Sequence, residues 1–316
     1  MFVVTGGAGF IGSNLVKALN DRGDDDILVV DDLTDGKKFK NLVDSTFNDY
    51  LDRDDFRSRI KQGQDFGPVS AVFHQGACAD TVEQDGRYML DNNYQTSKEL
   101  LLWCQTRKIP FVYASSAAVY GSSDDFREDG AGENPLNVYG WSKLIFDQWL
   151  RRRWETLSAP VVGLRYFNVY GPREEHKGRM ASVVHHFSRQ IAETGKVRLF
   201  AGSHGYTDGE QRRDFVFVED IVGVNLWAAG NTSVPGIYNV GTGASRSFND
   251  IAKAVIDWHG RGTIEYIPMP DDLTRAYQAF TEAELTRLRG AGYTDAFAQI
   301  EDGVRRTLDA KAQRTG

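Results

Sequence analysis

The sequence is poor in cysteine, with two among its 316 residues. Cys78 and Cys104 follow neither the spacing of a zinc site nor that of a disulfide framework. We therefore expect no metal centre. Both cysteines are expected to be buried as small hydrophobic side chains.

Long apolar runs are also lacking. No stretch approaches the ~20 apolar residues that a membrane-spanning helix needs. An apolar strand is predicted to begin at residue 2, which leaves no room for a signal peptide. The chain is therefore expected to be cytoplasmic. Neither internal repeats nor a low-complexity linker interrupts it.

Basic residues are fewer than acidic ones, 37 Lys and Arg against 44 Asp and Glu, which gives a formal net charge of −7. Non-specific nucleic-acid binding depends on a basic surface. The charge therefore argues against a nucleic-acid partner. At 41% hydrophobic and 26% charged residues, the composition is that of an ordinary globular protein, long enough for a large and a smaller domain.

The first dozen residues carry a glycine-rich motif. A short apolar run enters a turn containing Gly6, Gly9 and Gly12, and a helical pattern follows. Such glycines permit a tight turn, close approach of the backbone to a pyrophosphate, and close packing of helix and strand. A second apolar strand, 27–30, ends in Asp31, where the fingerprint places an acid for the adenine ribose. The segment predicts a dinucleotide site with phosphates at the helix N-terminus.

Strands and helices alternate through the first half of the chain, which predicts a parallel sheet covered on both faces. The strict alternation breaks at residue 168. We therefore predict an α/β fold, a doubly wound parallel sheet (Rossmann fold) with a smaller C-terminal α/β substrate domain. The dinucleotide-binding domain is expected to comprise 1–167 and 214–241, and the substrate domain 168–213 and 242–316.

Three side chains suggest acid–base chemistry on an alcohol. Tyr139 and Lys143 are four residues apart on a predicted helix, so they share one face. An ammonium beside a phenol favours the phenolate and lowers its pKa. Ser116, at the end of a predicted strand, adds a hydroxyl that can bind the same substrate oxygen. Together they predict a general base working beside a nicotinamide that accepts hydride.

These motifs resemble a known family. The glycine turn 5–12, Ser116 and the Tyr139–Lys143 pair look like those of the extended short-chain dehydrogenase/reductases that act on nucleotide sugars. The likeness continues through 213–220 and covers nearly the whole chain. Four segments are similar, more narrowly, to the ADP-L-glycero-D-manno-heptose 6-epimerases of the NAD-dependent epimerase/dehydratase family: 91–94, 165–174, 176–178 and 277–281.

The resemblance implies inversion at C6″ of an ADP-heptose, by transient oxidation to a ketone and return of hydride to the opposite face. C6″ lies outside the pyranose ring, so rotation about exocyclic bonds exposes its other face. The oxygen then points elsewhere, and the family would assign Lys177 as a second acid/base beside Tyr139. The alternative for Lys177 is a lysine that only meets the diphosphate charge. A homo-oligomer, a pentamer in this family, is also implied.

The resemblance assigns further site residues. The expected catalytic residues are Tyr139, Lys177, Lys143 and Ser116. The expected cofactor-binding residues are Gly6, Gly9, Phe10, Ile11, Gly12, Asp31, Asp32, Lys38, Arg53, Gln75, Gly76, Ala77, Cys78, Ala79, Asn92, Lys143, Val169 and Lys177. The expected substrate-binding residues are Asn168, Arg179, His186, Phe200, Ala201, Gly202, Ser203, Arg213 and Tyr277. Two features depart from the family pattern: Arg179 stands where a serine is expected, and the loop 202–213 is longer.

Two residues of the sequence give opposite indications of whether the cofactor is NAD or NADP. Asp31 suits the ribose 2′-hydroxyl of NAD and would repel the 2′-phosphate of NADP. Lys38, however, is placed to neutralise that phosphate, and the family is associated with NADP. We predict tightly bound, recycled NADP, with NAD as the alternative.

Three other functions are open to such a chain. A sugar-nucleotide 4,6-dehydratase carries an Asp–Glu pair directly after its catalytic hydroxyl, and here Ala117 and Ala118 follow Ser116. Another NDP-sugar epimerase, such as a 4-epimerase, would give Lys177 no role. A cofactor-sensing regulator on the same fold typically lacks the Tyr or the Lys, and both are present here.

Overall fold

A computed structural model describes residues 1–231, 233–270 and 278–315. Its strands are β1 (Phe2–Thr5), β2 (Ile27–Asp31), β3 (Asp49–Asp52), β4 (Ala71–His74), β5 (Phe111–Ser116), β6 (Val161–Tyr166), β7 (Asn168–Tyr170), β8 (Lys196–Phe200), β9 (Arg212–Arg213), β10 (Phe215–Phe217), β11 (Gly236–Val240), β12 (Arg246–Ser247) and β13 (Thr263–Ile267). Its α-helices are α1 (Phe10–Asp21), α2 (Arg53–Lys61), α3 (Gly86–Met89), α4 (Thr96–Arg107), α5 (Val138–Arg151), α6 (Val183–Thr194), α7 (Val218–Gly230), α8 (Phe248–His259), α9 (Thr286–Gly290) and α10 (Ile300–Thr315). A π-helical turn, Leu90–Gln95, precedes α4, and 3-10 turns cover Gly36–Asn41, Ala117–Val119, Trp154–Thr156 and Glu175–Met180.

Seven parallel strands form the central sheet, in the order β11-β6-β5-β4-β1-β2-β3. The strand order reverses beside β1, which pairs with β2 on one side and with β4 on the other. Ligands of such sheets bind beyond the carboxyl ends of the strands at this reversal. The predicted doubly wound parallel sheet is confirmed.

Helices cover both faces of the sheet and bury its apolar side chains. On one face the core includes Leu15 of α1, Ile221 of α7 and Leu288 of α9. On the other it includes Phe56 of α2 and Phe146 of α5. Strands buried on both faces explain the continuous apolar runs of the sequence, since every residue of β2 and of β6 is buried.

A further core forms from the segments after β6. Ile191 of α6, Val255 of α8 and Val304 of α10 pack together there. Strand β8 pairs with β13 in a separate two-stranded parallel ribbon. This core borders the glycine turn, since Phe10 at the start of α1 belongs to it.

Several local expectations need correction. Strand β3 and helix α2 were not anticipated. The polar, Gly- and acid-rich segment 122–136 predicts a surface loop, yet Phe126 and Glu128 within it are buried. Cys104 is buried as expected, but the expectation for Cys78 was wrong, because it is only partly buried. Within the described residues, no helix is both long enough and apolar enough to span a bilayer.

Candidate active site

The glycine turn between β1 and α1 is tight enough to exclude side chains. Gly6 adopts φ of +67°, and a Cβ there would lie 2.6 Å from the backbone nitrogen of Gly76. A Cβ at Gly12 would overlap the carbonyl oxygen of Gly6. Gly9 caps α1 without a side chain, so the first turn of the helix stays open to a ligand.

A cavity of about 350 Å³ opens beyond this turn, at the reversal of strand order. Of the predicted cofactor-binding residues, those that line it are Gly6, Gly9, Phe10, Ile11, Gly12, Asp31, Asp32, Lys38, Arg53, Gln75, Gly76, Ala77, Cys78, Ala79, Asn92 and Lys177. A dinucleotide needs a glycine turn that lets the backbone approach its phosphates, and an open helix N-terminus beside them. It also needs polar residues at the end of the cavity that holds the adenine ribose. The residues present therefore fit such a cofactor.

Two predicted cofactor residues do not line this cavity in the structure. Val169 lies on β7 and packs, partly buried, between two hydrophobic cores. Lys143 is buried on α5, and its Nζ donates to the carbonyl oxygen of Ala114 at 2.8 Å. Nine lining residues were missed: Thr5, Val30, Phe56, Arg57, His74, Tyr88, Thr96, Leu100 and His176. His176 adjoins Lys177 in the segment 176–178, which was the available signal.

The far end of the cavity carries the residues that choose between NAD and NADP. The Asp31 carboxylate accepts hydrogen bonds from the backbone nitrogens of Ala8 and Asp32, each at 2.7 Å. Lys38 Nζ lies 2.5 Å from the same carboxylate. Arg53 lies 3.7 Å from the carboxylate of Asp32. Cations therefore face both acids at this end.

The structure brings Ser116, Tyr139 and Lys143 together from two elements. Ser116 ends β5, and α5 begins at Val138 under a cap in which Asn137 Oδ1 accepts from the backbone nitrogen of Gly140 at 2.8 Å. Tyr139 and Lys143 follow on successive turns of α5, and Ser116 hydrogen bonds to the Tyr139 phenol.

The protonation states at this centre differ from the sequence expectation. Burial raises the pKa of the Tyr139 phenol, although the hydrogen bond from Ser116 lowers it. Burial lowers the pKa of Lys143 to about 8, against the opposing charge of Asp147. The expected lowering of the Tyr139 pKa is thus absent, because desolvation of the phenol dominates.

Lys177 lines the same cavity and lies in the 3-10 turn Glu175–Met180. Its Nζ is 5.1 Å from the ring centre of Phe10, the first residue of α1. Burial lowers the pKa of Lys177, and the charge of Glu174 opposes that effect. A lysine with a lowered pKa is suited to exchange a proton near neutral pH.

Of the predicted substrate residues that the structure describes, none lines this cavity. Asn168 is exposed at the start of β7, and its Oδ1 accepts from Thr281 Oγ1 at 3.4 Å. Arg179 forms an ion pair with Asp80 at 2.7 Å. His186 lies on α6 with its Nε2 3.3 Å from the carbonyl oxygen of Arg179. Arg179 thus connects the Lys177 segment with the loop after β4.

The remaining substrate residues lie after β8 and on β9. Phe200 ends β8, and the loop 201–203 follows it. Gln211, which sequence reasoning missed, donates from its Nε2 to the carbonyl oxygen of Ala201 and to Ser203 Oγ, each at 3.0 Å. Arg213 is 8% exposed on β9. The prediction for Tyr277 lies outside the described residues.

Comparison with known proteins shows the family to which the chain is similar. A family model described as the NAD dependent epimerase/dehydratase family matches residues 2–241. The ADP-L-glycero-D-manno-heptose-6-epimerase of Alkalilimnicola ehrlichii is 62% identical over 312 residues, which cover 99% of this chain and 98% of that protein.

Two solved structures share the fold. The ADP-L-glycero-D-manno-heptose-6-epimerase of Helicobacter pylori has a TM-score of 0.82 at 30% identity, covering 98% of this chain and 94% of that one. The UDP-glucose 4-epimerase of Thermus thermophilus, in complex with NAD, has a TM-score of 0.80 at 30% identity, covering 98% of each chain. The family match over most of the chain and the near full-length relative establish that this chain belongs to the NAD-dependent epimerase/dehydratase family.

Proposed function

We propose that this chain is an ADP-L-glycero-D-manno-heptose 6-epimerase, which interconverts ADP-D-glycero-D-manno-heptose and ADP-L-glycero-D-manno-heptose at C6″. The observation that carries the proposal is the 62% identity to the Alkalilimnicola ehrlichii enzyme over 99% of this chain. The segments after β6 supply the sugar-nucleotide side of the site. We propose 1–167 with 214–241 as the dinucleotide-binding domain, and 168–213 with 242–316 as the substrate domain.

The cofactor in this proposal is NADP. When bound, a nicotinamide dinucleotide supplies a hydride acceptor and, in its reduced form, a hydride donor. The Gly6–Gly12 turn and the N-terminus of α1 would hold the diphosphate. Lys38 supports NADP over NAD, because its ammonium neutralises the Asp31 carboxylate at 2.5 Å and adds a cation for a 2′-phosphate. Arg53 is a second cation at this end.

Tyr139 and Ser116 act on one orientation of the C6″ oxygen. The Tyr139 side chain, as the phenolate, accepts the alcohol proton and becomes the phenol as the ketone forms, and Ser116, its hydrogen-bond partner, holds the substrate oxygen in reach. Lys143, one turn further along α5, is the neighbouring cation in this proposal, although burial leaves the pKa of the Tyr139 phenol raised.

Lys177 acts on the other orientation. After rotation about the exocyclic bonds, the ketone presents its opposite face and its oxygen points away from Tyr139. Lys177, which lines the cavity, donates the proton that completes the inverted alcohol. Its lowered pKa, caused by burial, supports this role.

The test is turnover of ADP-D-glycero-D-manno-heptose in D2O, followed by proton NMR. We expect the L-glycero product to appear with C6″ free of deuterium, because hydride moves directly and no proton leaves carbon. Deuterium at C6″ would contradict the mechanism, and an unchanged substrate would contradict the function.

A 4-epimerase is the second candidate, because the Thermus thermophilus UDP-glucose 4-epimerase shares the fold over 98% of the chain. The same NMR assay with UDP-glucose distinguishes the two. Formation of UDP-galactose at a rate comparable to heptose inversion would favour this candidate. Retention of UDP-glucose would support the heptose substrate.

We also propose that the chain assembles as a homo-pentamer, from the family resemblance. Sedimentation equilibrium of the purified protein tests this, with a mass of five chains of 35.4 kDa expected. A monomer mass would contradict it.

A further inference from the structure

A fully buried carboxylate lies one helical turn beyond the predicted catalytic pair. Asp147 follows Tyr139 and Lys143 on α5 at spacings of eight and four, so all three share one face of the helix. Its side chain is 0% exposed. Burying a charge is costly unless it is paired and hydrogen bonded, so its partners indicate what it does.

Asp147 is held by two residues of β5. Tyr113 Oη donates to Asp147 Oδ1 at 2.8 Å, and Ser115 Oγ donates to Oδ2 at 2.9 Å. Arg165 of β6 adds a third bond, from Nε to Oδ2 at 3.0 Å. Asp147 therefore ties α5 to two neighbouring strands.

The same stretch of β5 contacts the reaction centre. Tyr113 and Ser115 flank Ala114, whose carbonyl oxygen accepts from Lys143 Nζ at 2.8 Å. Ser116, which hydrogen bonds to the Tyr139 phenol, comes next. Asp147 thus fixes the register between the helix that carries Tyr139 and Lys143 and the strand that carries Ser116.

The charge of Asp147 also acts on Lys143. Burial lowers the pKa of Lys143 to about 8, and Asp147 opposes that effect. Cys78 is the other titratable group whose charge would raise this pKa. His74 on β4 faces Lys143 from the sheet but is neutral near pH 7, since burial lowers its pKa to about 3.

Arg165 offers a comparison within the same network. Its guanidinium also pairs with Glu133, which Arg151 contacts as well at 2.6 Å. Glu133 is 4% exposed and, like Asp147, neutralises Arg165 in the interior. Glu133 therefore shares the ion-pairing role of Asp147 without contacting β5.

We propose that Asp147 is a positioning residue for the reaction centre: it sets the register of Tyr139 and Lys143 against Ser116 and sustains the ammonium form of Lys143. The inference rests on the proposed function, since it concerns the centre to which that function assigns acid–base chemistry.

The test is Asp147→Asn, which keeps the side-chain shape and removes the charge. Misplacement by about 1 Å can lower a rate roughly 100-fold, so we expect a fall in kcat of that order with little change in KM. In the wild type, kcat should fall as pH rises through about 8, because Lys143 loses its ammonium form. In Asp147→Asn this alkaline limb should move to lower pH.

Glu133→Gln is the matched control. It removes the other carboxylate partner of Arg165, so it reports on ion pairing in the interior alone. We expect it to lower thermal stability while leaving the alkaline limb in place. An equal shift of the limb in both variants, or no shift in Asp147→Asn, would overturn the proposal.

A substrate-free measurement separates this inference from the proposed function. The lysine ε-carbons are titrated by ¹³C NMR, with Lys143→Arg to assign the resonance of Lys143. The pH midpoint of the Lys143 titration should be lower in Asp147→Asn than in the wild type and unchanged in Glu133→Gln. This holds whichever sugar nucleotide the enzyme uses. An unchanged midpoint in Asp147→Asn contradicts the electrostatic role, and inactivity of the wild type towards ADP-heptose contradicts only the function.

A second variant covers the case in which Asp147→Asn does not fold. Tyr113→Phe with Ser115→Ala removes both ties to β5 and leaves Asp147 paired with Arg165. We expect kcat to fall while the Lys143 titration stays in place. Wild-type kcat in this double variant would overturn the positioning role.

Discussion

Lys38 is the residue on which the choice between NADP and NAD depends. Asp31 alone would repel a 2′-phosphate, and the ammonium at 2.5 Å cancels that charge. Arg53 pairs with Asp32 rather than with Asp31. It therefore adds positive charge at this end of the cavity without replacing the contact between Lys38 and Asp31. If the cofactor is NADP as proposed, the adenosine end would accept its 2′-phosphate only while this pair is intact.

We predict that Lys38→Ala weakens NADP binding and leaves NAD binding nearly unchanged. Hydrogen bonds to charged groups contribute ~1.5–3 kcal/mol, or roughly 10- to 100-fold in Kd. Fluorescence titration of the cofactor-free protein with each dinucleotide measures this. Lys37→Ala, at an exposed neighbour, is the control and should bind both as the wild type does. Equal losses for the two dinucleotides would contradict the prediction.

The division of labour between Tyr139 and Lys177 is testable with an aldehyde analogue that has no stereocentre at the reacting carbon. On the proposed mechanism epimerisation needs both groups, so Tyr139→Phe and Lys177→Met should each lower it by ~100- to 10,000-fold. Dismutation of the aldehyde to acid and alcohol needs only one of the two groups, because either face of the aldehyde can react. Each single variant should retain far more dismutation than epimerisation, and the double variant should lose both.

If Lys177 only met the diphosphate charge, the result would differ. Lys177→Met would then keep near wild-type epimerisation and lose affinity for the sugar nucleotide instead. The 5.1 Å contact with Phe10 at the start of α1 leaves both roles open, because that helix end also faces the phosphates.

At the scale of elements, the turn between β1 and α1 tolerates no added carbon at its third glycine. Gly12→Ala should therefore displace the turn and abolish retention of the dinucleotide, with overpacking costing ~1–3 kcal/mol of stability. Calorimetry and the absorbance of bound nucleotide measure both effects. Gly230→Ala, on α7 with open space around it, is the control. Retention of nucleotide by Gly12→Ala would show that the turn can adjust.

The elements that could be predicted from the sequence were those whose apolar pattern is continuous. The apolar residues 161–164 predict β6 from the sequence, and all six of its residues are buried, Arg165 among them through its ion pairs with Glu133 and Asp147. β3 was missed because it is an edge strand, Asp49–Asp52, in which only Leu51 is buried. Its hydrogen bonds to β2, rather than its side chains, define it.

The site was predictable to a similar degree. The cofactor cavity follows from a local motif, so nearly all of its expected lining residues were found there. Gln211 and Asp147 were missed, because each acts through contacts with residues distant in sequence. The pKa of Tyr139 was misjudged for a related reason: burial depends on the whole fold, whereas helical spacing does not.

For the whole molecule, oxidation and reduction cancel over one epimerisation, so the dinucleotide need never leave. We predict about one dinucleotide per purified chain and turnover without added nicotinamide, as expected for a site of this kind. Mass spectrometry of the ligand released by denaturation identifies it, with NADP expected. Protein that purifies empty and needs stoichiometric cofactor would contradict recycling, and NAD in its place would show that Asp31 outweighs Lys38.

The sheet order has a consequence for biosynthesis. Among the residues that the structure describes, β11 pairs with β6 alone, yet it is synthesised after α6, β8 and α7. At roughly 5–20 residues per second, several seconds pass before β6 gains its neighbour on the ribosome. Until then an apolar strand with unpaired backbone groups lies at an open edge, which is a site of aggregation. Nascent chains stalled before residue 236 are therefore the species that most need a chaperone.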